Sequence, residues 1–149
     1  SDGGKKRMAD AIAYTDGASR GNPGPGALAF EIYLGDRLLL RQGKVIGTCT
    51  NNEAEYKAMI EALRNAWRLG LQELIVRSDS QLVINQMTGR WAIREPRLGA
   101  LARAAREEAS RLREVKYEAV PREHPRIREV DALCNRLLDE AGYRPAWLS

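Results

Sequence analysis

Four acids far apart in the chain, Asp16, Glu55, Asp79 and Asp131, each sit in a local sequence suited to delivering a carboxylate to one place. Asp16 closes the alternating run Ala11-Ile12-Ala13-Tyr14-Thr15, and the Gly21-Asn22-Pro23-Gly24-Pro25-Gly26 segment beyond it is too rich in Gly and Pro to continue a strand. This puts Asp16 at a strand's C-terminal end. Asp79 repeats the arrangement after Leu74-Ile75-Val76-Arg77-Ser78, an apolar run readable as a buried strand, with a helix-like stretch from Gln81 to Met87 behind it. Glu55 falls in the first two turns of a helix opened by a capping box, Thr50 with Glu53, beside an apolar stripe of Tyr56, Met59, Ile60, Leu63 and Trp67. Asp131 projects from a second amphipathic helix, near its start, whose buried face is Val130, Leu133, Leu137 and Leu138.

Two carboxylates about 4 Å apart repel by roughly 4 kcal/mol at an effective dielectric of about 20, so four converging acids need something positive between them. Oxygen-only ligands suit Mg²⁺, with Mn²⁺ as the alternative, and such ions share their coordination with substrate phosphates. Two of them can activate a water and stabilise the leaving oxygen of an in-line displacement at phosphorus, with two ions per site when substrate is bound. The chemistry implied is phosphodiester hydrolysis. Any one of these acids has a plainer explanation. In a chain that is 30% charged, most carboxylates are surface groups. Asp16 and Asp79 can also form Asx-turns, and Asp131 can simply favour a helix start. Their joint placement argues for a site.

No rival centre competes. His124 is the only histidine, and Cys49 and Cys134 lie in unrelated contexts, so a zinc site has too few ligands. No Gly-x-Ser-x-Gly elbow presents a serine, and the Gly-rich segment lacks the Gly-Lys-Ser/Thr ending of a phosphate loop.

The elements that must position the acids read as strands over about 9–16, 27–34, 38–46, 73–78 and 115–120, and helices over about 51–69, 80–87, 97–113 and 127–141, with a hairpin turn at Gly35-Asp36 and Gly70 ending the first helix. At 149 residues and 44% hydrophobic content the chain is read as one domain over 9–141, with a flexible lead-in at 1–8 and a tail at 142–149 that Trp147 can anchor. No apolar run approaches a membrane span, and two cysteines in dissimilar settings predict a reduced, cytoplasmic protein. A monomer with no obligate protein partner is expected. The net charge of +4 favours a polyanionic partner only if it lines the groove beside the acids.

The segments Tyr14 to Gly26, Thr50 to Glu55, Ser78-Asp79-Ser80-Gln81 and Glu129 to Asn135 together closely resemble type 1 ribonuclease H, and the resemblance runs from about 9 to 141. It implies an α/β ribonuclease H-like fold: a five-stranded mixed sheet with helices on both faces, in which the first and fourth strands are parallel neighbours. It also implies Mg²⁺-dependent endonucleolytic cleavage of the RNA strand of RNA/DNA hybrids, leaving 3′-hydroxyl and 5′-phosphate ends. The family's acidic quartet falls on Asp16, Glu55, Asp79 and Asp131.

The resemblance places Asn22, Asn51, Asn52 and Gln81 in the hybrid's minor groove, a role their amides suit because they donate to 2′-hydroxyls and accept from base edges. Ser19 stands where the family puts a small residue against the RNA backbone. Thr50 resembles a threonine that contacts a DNA phosphate, although an N-cap role competes for its hydroxyl. Trp91, among Arg90, Arg94 and Arg97, reads as a sugar-packing aromatic flanked by phosphate-holding cations, against the alternative of a core tryptophan. Trp67 reads as core. The chain between Asp79 and the last strand is too short for the family's basic protrusion, which matches the compact, archaeal-type branch. In the loop Pro121 to Arg128, His124 is the candidate for proton transfer, with Arg122 and Glu123 competing. Asn135, one turn past Asp131, is the residue a register error would exchange for the fourth acid. Two other readings stay open: a hybrid-binding module without catalysis, and a DNA nuclease of the wider superfamily.

Overall fold

The Gly35-Asp36 pair turns the chain between two long antiparallel strands, and the capping box at Thr50 stops the second of them and starts a helix. The computed structural model describes residues 10–143; the expected lead-in over 1–8, the start of the first strand at residue 9 and the anchor at Trp147 lie outside them. The order is β1 (Ala11–Ser19), β2 (Gly24–Leu34), β3 (Arg37–Cys49), α1 (Asn51–Arg68), β4 (Glu73–Ser78), α2 (Gln81–Met87), α3 (Pro96–Ala109), β5 (Glu114–Ala119) and α4 (Pro125–Glu140). The strands form one sheet in the order β3-β2-β1-β4-β5. β1, β2 and β3 pair antiparallel, whereas β1–β4 and β4–β5 pair parallel, so the sheet is mixed.

Each face of the sheet is covered. On one, Ala13, Phe30, Ile32 and Val76 pack with Tyr56, Met59 and Leu63 of α1 and with the buried side of α3. On the other, Tyr14, Ala29 and Tyr33 pack with Ile127, Val130, Cys134 and Leu138 of α4. Period-2 alternation in the strands and 3.6-residue stripes on the helices produce this sandwich directly. No described helix is long and apolar enough to cross a membrane.

Three expectations are corrected. β1 does not end at Asp16 but runs on to Ser19, because the Gly/Pro-rich segment opens β2 and pairs back, Ser19 opposite Gly26. Trp67 is not core: it is 45% exposed, under the Arg111 guanidinium at 4.9 Å. The buried stripe of α1 passes through Leu63 to Ala66, which leaves Trp67 on its flank in the last turn. The third helix also stops at Ala109, short of 113, where the main-chain N–H groups of Arg113 and Glu114 both donate to Gln72 O and draw the chain into β5.

Candidate active site

The parallel register brings the first two acids level. Tyr14 is opposite Arg77, and two residues further along each strand come Asp16 and Asp79, the latter just past the end of β4. Asp16 shares the parity of Tyr14, on the side covered by α4, and Cys134 of α4 packs beneath it with its thiol donating to Asp16 O at 3.6 Å. Burial pushes that thiol's pKa up, so it acts as packing rather than as a nucleophile.

Glu55 arrives from the opposite layer because Gly17 lets it. A Cβ on Gly17 would lie 2.2 Å from the main-chain carbon of Ala54, so only glycine allows α1 to approach β1 this closely. The Gly17 N–H then donates to Glu55 Oε1 at 3.0 Å and fixes the carboxylate. Ligand oxygens of Asp16, Glu55 and Asp79 lie within 4.8 Å of one another.

Asp131 stands in the second turn of α4, six residues past its first residue; it lies outside the cluster of three, but its charge acts on Asp16, Glu55 and Asp79. Asn135 does not take its place. Its side chain is bonded to Arg20 and to the Asp131 carbonyl, which fixes the register of the helix.

The electrostatics are those of a site short of positive charge. Burial, then Asp131 and Asp79, push the Asp16 pKa from 3.8 to about 8, with Arg122 opposing. Burial and the neighbouring Asp16 and Asp79 hold Glu55 well above its ordinary range despite the Gly17 bond. Asp79 is also raised, chiefly by burial. Asp16 Oδ2 is buried and has no hydrogen-bond partner. A buried lone pair without a donor is costly, and a hard divalent cation satisfies it. The donor set therefore fits Mg²⁺ or Mn²⁺: carboxylate oxygens only, clustered, one of them orphaned.

Beside the acids, a hydrogen-bonded loop faces outward. The Ser19 N–H and Oγ both donate to Asn51 Oδ1, at 3.0 and 3.1 Å, and the Asn51 N–H donates to Asn22 Oδ1 at 3.0 Å. The β1–β2 loop is thus laced to the first turn of α1, beside Asn52.

A family model described as reverse transcriptase-like matches residues 15–137. Ribonuclease HI of Halobacterium salinarum is 42% identical over 130 residues, 87% of this chain and 64% of that protein. The crystal structure of the ribonuclease H1 from that archaeon superposes with a TM-score of 0.83 at 41% identity, covering 88% of this chain and 98% of that one. The chain belongs to the type 1 ribonuclease H family. A bifunctional protein of Mycobacterium tuberculosis is 41% identical over 137 residues, 91% of this chain but only 37% of that protein. The chain thus spans between about a third and two thirds of these curated relatives' lengths. A compost-derived ribonuclease H1 solved in complex with an RNA/DNA hybrid superposes with a TM-score of 0.75 at 33% identity, covering 89% of this chain and 99% of that one.

Set against this family, the remaining residues fall into place unevenly. Thr50 is an N-cap: Glu53 N–H donates to its Oγ1 at 3.1 Å and Thr50 N–H to Glu53 Oε1 at 2.8 Å, which leaves the hydroxyl proton free to donate outward. Gln81 opens α2 on the exposed surface. Trp91 is 48% exposed, so the core alternative fails, and Arg90, Arg94 and Arg97 around it are exposed too. Arg106, further along α3, donates to Gln86 O at 3.2 Å. The short span between α2 and α3 carries no protrusion.

His124 is the N-cap of α4, its Nδ1 accepting from the Arg126 N–H at 3.1 Å, and its ring stacks on Tyr14 with centroids 5.1 Å apart. Of the three loop candidates, Arg122 is the one whose charge acts on both Asp16 and Asp79. Sequence reasoning gave no role to Gly17 or to Arg20. The signal for Gly17 was the Asp-Gly pair inside a strand, where a glycine marks a close backbone approach. That for Arg20 was a lone cation in a turn otherwise made of small residues.

Proposed function

We propose that this chain, over residues 9–141, is a metal-dependent endoribonuclease that hydrolyses the RNA strand of RNA/DNA hybrids and leaves 3′-hydroxyl and 5′-phosphate ends. The observation that carries this reading is the convergence of Asp16, Glu55 and Asp79, with an orphaned Asp16 oxygen, at the mouth of the Ser19–Asn22 loop. Asp16, Glu55, Asp79 and Asp131 are the ligands for two Mg²⁺ ions, or Mn²⁺ in their place. When bound, the ions supply Lewis acidity to the attacking water and to the leaving oxygen.

The chain's own groups do the rest. Asp16 and Glu55, raised by burial and mutual repulsion, must release their protons as the ions load. Ser19, Asn22, Asn51, Asn52 and Gln81 read the minor groove and its 2′-hydroxyls, which a DNA duplex lacks. Thr50 donates to a DNA phosphate, Trp91 packs against a sugar, and Arg94 holds a neighbouring phosphate. Arg122 steadies charge at the acids. Any proton that His124 moves leaves from Nε2, because Nδ1 is taken by the helix. One chain supplies all four acids, in keeping with a monomer, and two free, buried cysteines fit the cytoplasm.

The test is cleavage of one end-labelled sequence presented as RNA/DNA hybrid, RNA duplex, DNA duplex and single-stranded RNA, each with Mg²⁺, Mn²⁺ or EDTA. Metal-dependent cutting confined to the RNA strand of the hybrid is expected. Cutting of duplex DNA would replace this reading with a DNA nuclease, and a hybrid that is bound but intact would replace it with a binding module.

A further inference from the structure

Arg20 lies in the β1–β2 loop, where its main-chain N–H donates to Pro25 O at 2.7 Å, yet its side chain belongs to α4. Nη2 donates to both the carbonyl and the Oδ1 of Asn135, each at 3.2 Å. Nη1 donates to Tyr143 O and lies 2.9 Å from Asp139 Oδ1. The Arg20 side chain is only 9% exposed, whereas Asp139 is 60% exposed, so the ion pair is screened and the bonds to Asn135 and Tyr143 carry the contact. From Asn135 the route continues inward, because its Nδ2 donates to the carbonyl of Asp131 at 3.1 Å.

We propose that Arg20 is a positioning residue that couples the hybrid-facing loop to the fourth carboxylate. Asp16 and Asp79 are set by strand register and Glu55 by Gly17, but Asp131 rides on a helix that no strand register holds. The apolar packing of Val130 and Cys134 seats that helix on the sheet, and Arg20 adds the polar tie between it and the β1–β2 loop. Its neighbours Ser19 and Asn22 are locked to Asn51, and its side chain grips the helix one turn beyond Asp131, so loop and helix hold one spacing across the groove. That the loop faces a hybrid rests on the function proposed above; the link between Arg20 and Asp131 is structural and can be read without it.

The test combines ¹⁵N-amide spectra of metal-free Arg20→Ala, Arg20→Lys and Asn135→Ala with turnover on labelled hybrid, alone and in an Asp131→Asn background. In Arg20→Ala the amides of Asp131 and Asn135 shift while those of Ile60 to Leu63 in α1 stay, and kcat falls by about tenfold, the size of a typical coupling effect. Asn135→Ala reproduces both. In the Asp131→Asn background, Arg20→Ala changes kcat by less than about twofold, because the route ends at Asp131. Arg20→Lys keeps the charge but loses the fork, so it gives the same amide shifts and keeps the readout available if the alanine variant does not fold. Unmoved Asp131 amides overturn the proposal, as does a kcat loss that multiplies in the Asp131→Asn background. If the wild-type chain cuts no hybrid, the functional reading fails and the spectra alone decide the link.

Discussion

Asp16 is where burial, repulsion and chemistry meet. Its pKa lies at about 8 in the folded chain against an ordinary 3.8, so across that interval the folded state binds a proton that the unfolded state has released. Stability of the metal-free protein therefore falls as pH rises from about 4 to about 8, the reverse of a salt-bridged aspartate. Asp16→Asn removes the ionisation. Its thermal midpoint without metal is expected to match or exceed the wild type's at about pH 9 and to fall less steeply between about pH 5 and about pH 9, the remaining slope coming from Glu55 and Asp79, which are raised as well. Mg²⁺ should raise the wild-type midpoint most at the alkaline end and leave Asp16→Asn nearly unmoved, with cleavage abolished and hybrid binding kept. An unchanged Mg²⁺ shift in the variant would remove Asp16 from the ligand set. Asp79 was legible in the sequence because a strand end followed by a helix start is a local pattern; Asp16 was picked out by its place after the alternating run, although β1 runs on past it to Ser19. Arg20 was not, since its partners Asn135 and Tyr143 are more than a hundred residues away and no spacing rule connects them.

At the level of elements, two glycines decide how near the helices come to the sheet. A Cβ on Gly17 meets main-chain atoms of Ala54 and Glu55 within 2.5 Å, and backbone cannot move aside. A Cβ on Gly43 of β3 meets Leu137 Cδ1 at 2.7 Å and Leu133 at 3.1 Å, side-chain tips of α4 that can shift. Gly17→Ala should therefore cost about 3 kcal/mol or more in urea unfolding and displace Glu55, with loss of cleavage, whereas Gly43→Ala should cost about 1 kcal/mol and leave cleavage measurable. Equal costs would mean that α1 seats on the sheet less tightly than the geometry shows. The order and type of the elements were legible, because hydrophobic period and caps are encoded within each segment: the Thr50–Glu53 box opens α1 as expected. The end of β1 was misjudged because a Gly/Pro-rich run can as well open a paired strand as break one, and only pairing with β2 settles which. Trp67 was misjudged because a helical stripe fixes a direction but not how far the covering layer extends.

Across the whole molecule, the net charge of +4 matters less than where uncommitted cations stand. Much of the positive charge is tied internally: Arg41 to Glu31, Arg64 to Glu108, Arg77 to Glu118, Arg113 to Glu73 and Arg126 to Glu129. Arg90, Arg94 and Arg97 take part in no ion pair among the described residues, and they flank exposed Trp91 on the short span between α2 and α3 and in the first turn of α3. A small cationic patch holds few phosphates. If these three arginines neutralise one phosphate each, log affinity against log salt has a slope of about −3, and raising salt from about 50 to about 200 mM weakens hybrid binding by roughly fifty-fold. Arg94→Ala combined with Arg97→Ala should bring the slope to about −1 and raise KM, while kcat at saturating hybrid stays near wild type, because the four acids and the Arg20 tie lie elsewhere. Trp91→Ala should raise KM with little change in that slope, since stacking releases no counterion. Fluorescence anisotropy of a labelled hybrid over a salt series, with Ca²⁺ in place of Mg²⁺, reads the slopes directly. An unchanged slope in the double variant would move the phosphate-holding surface away from this span, toward the Ser19–Asn22 side of the groove.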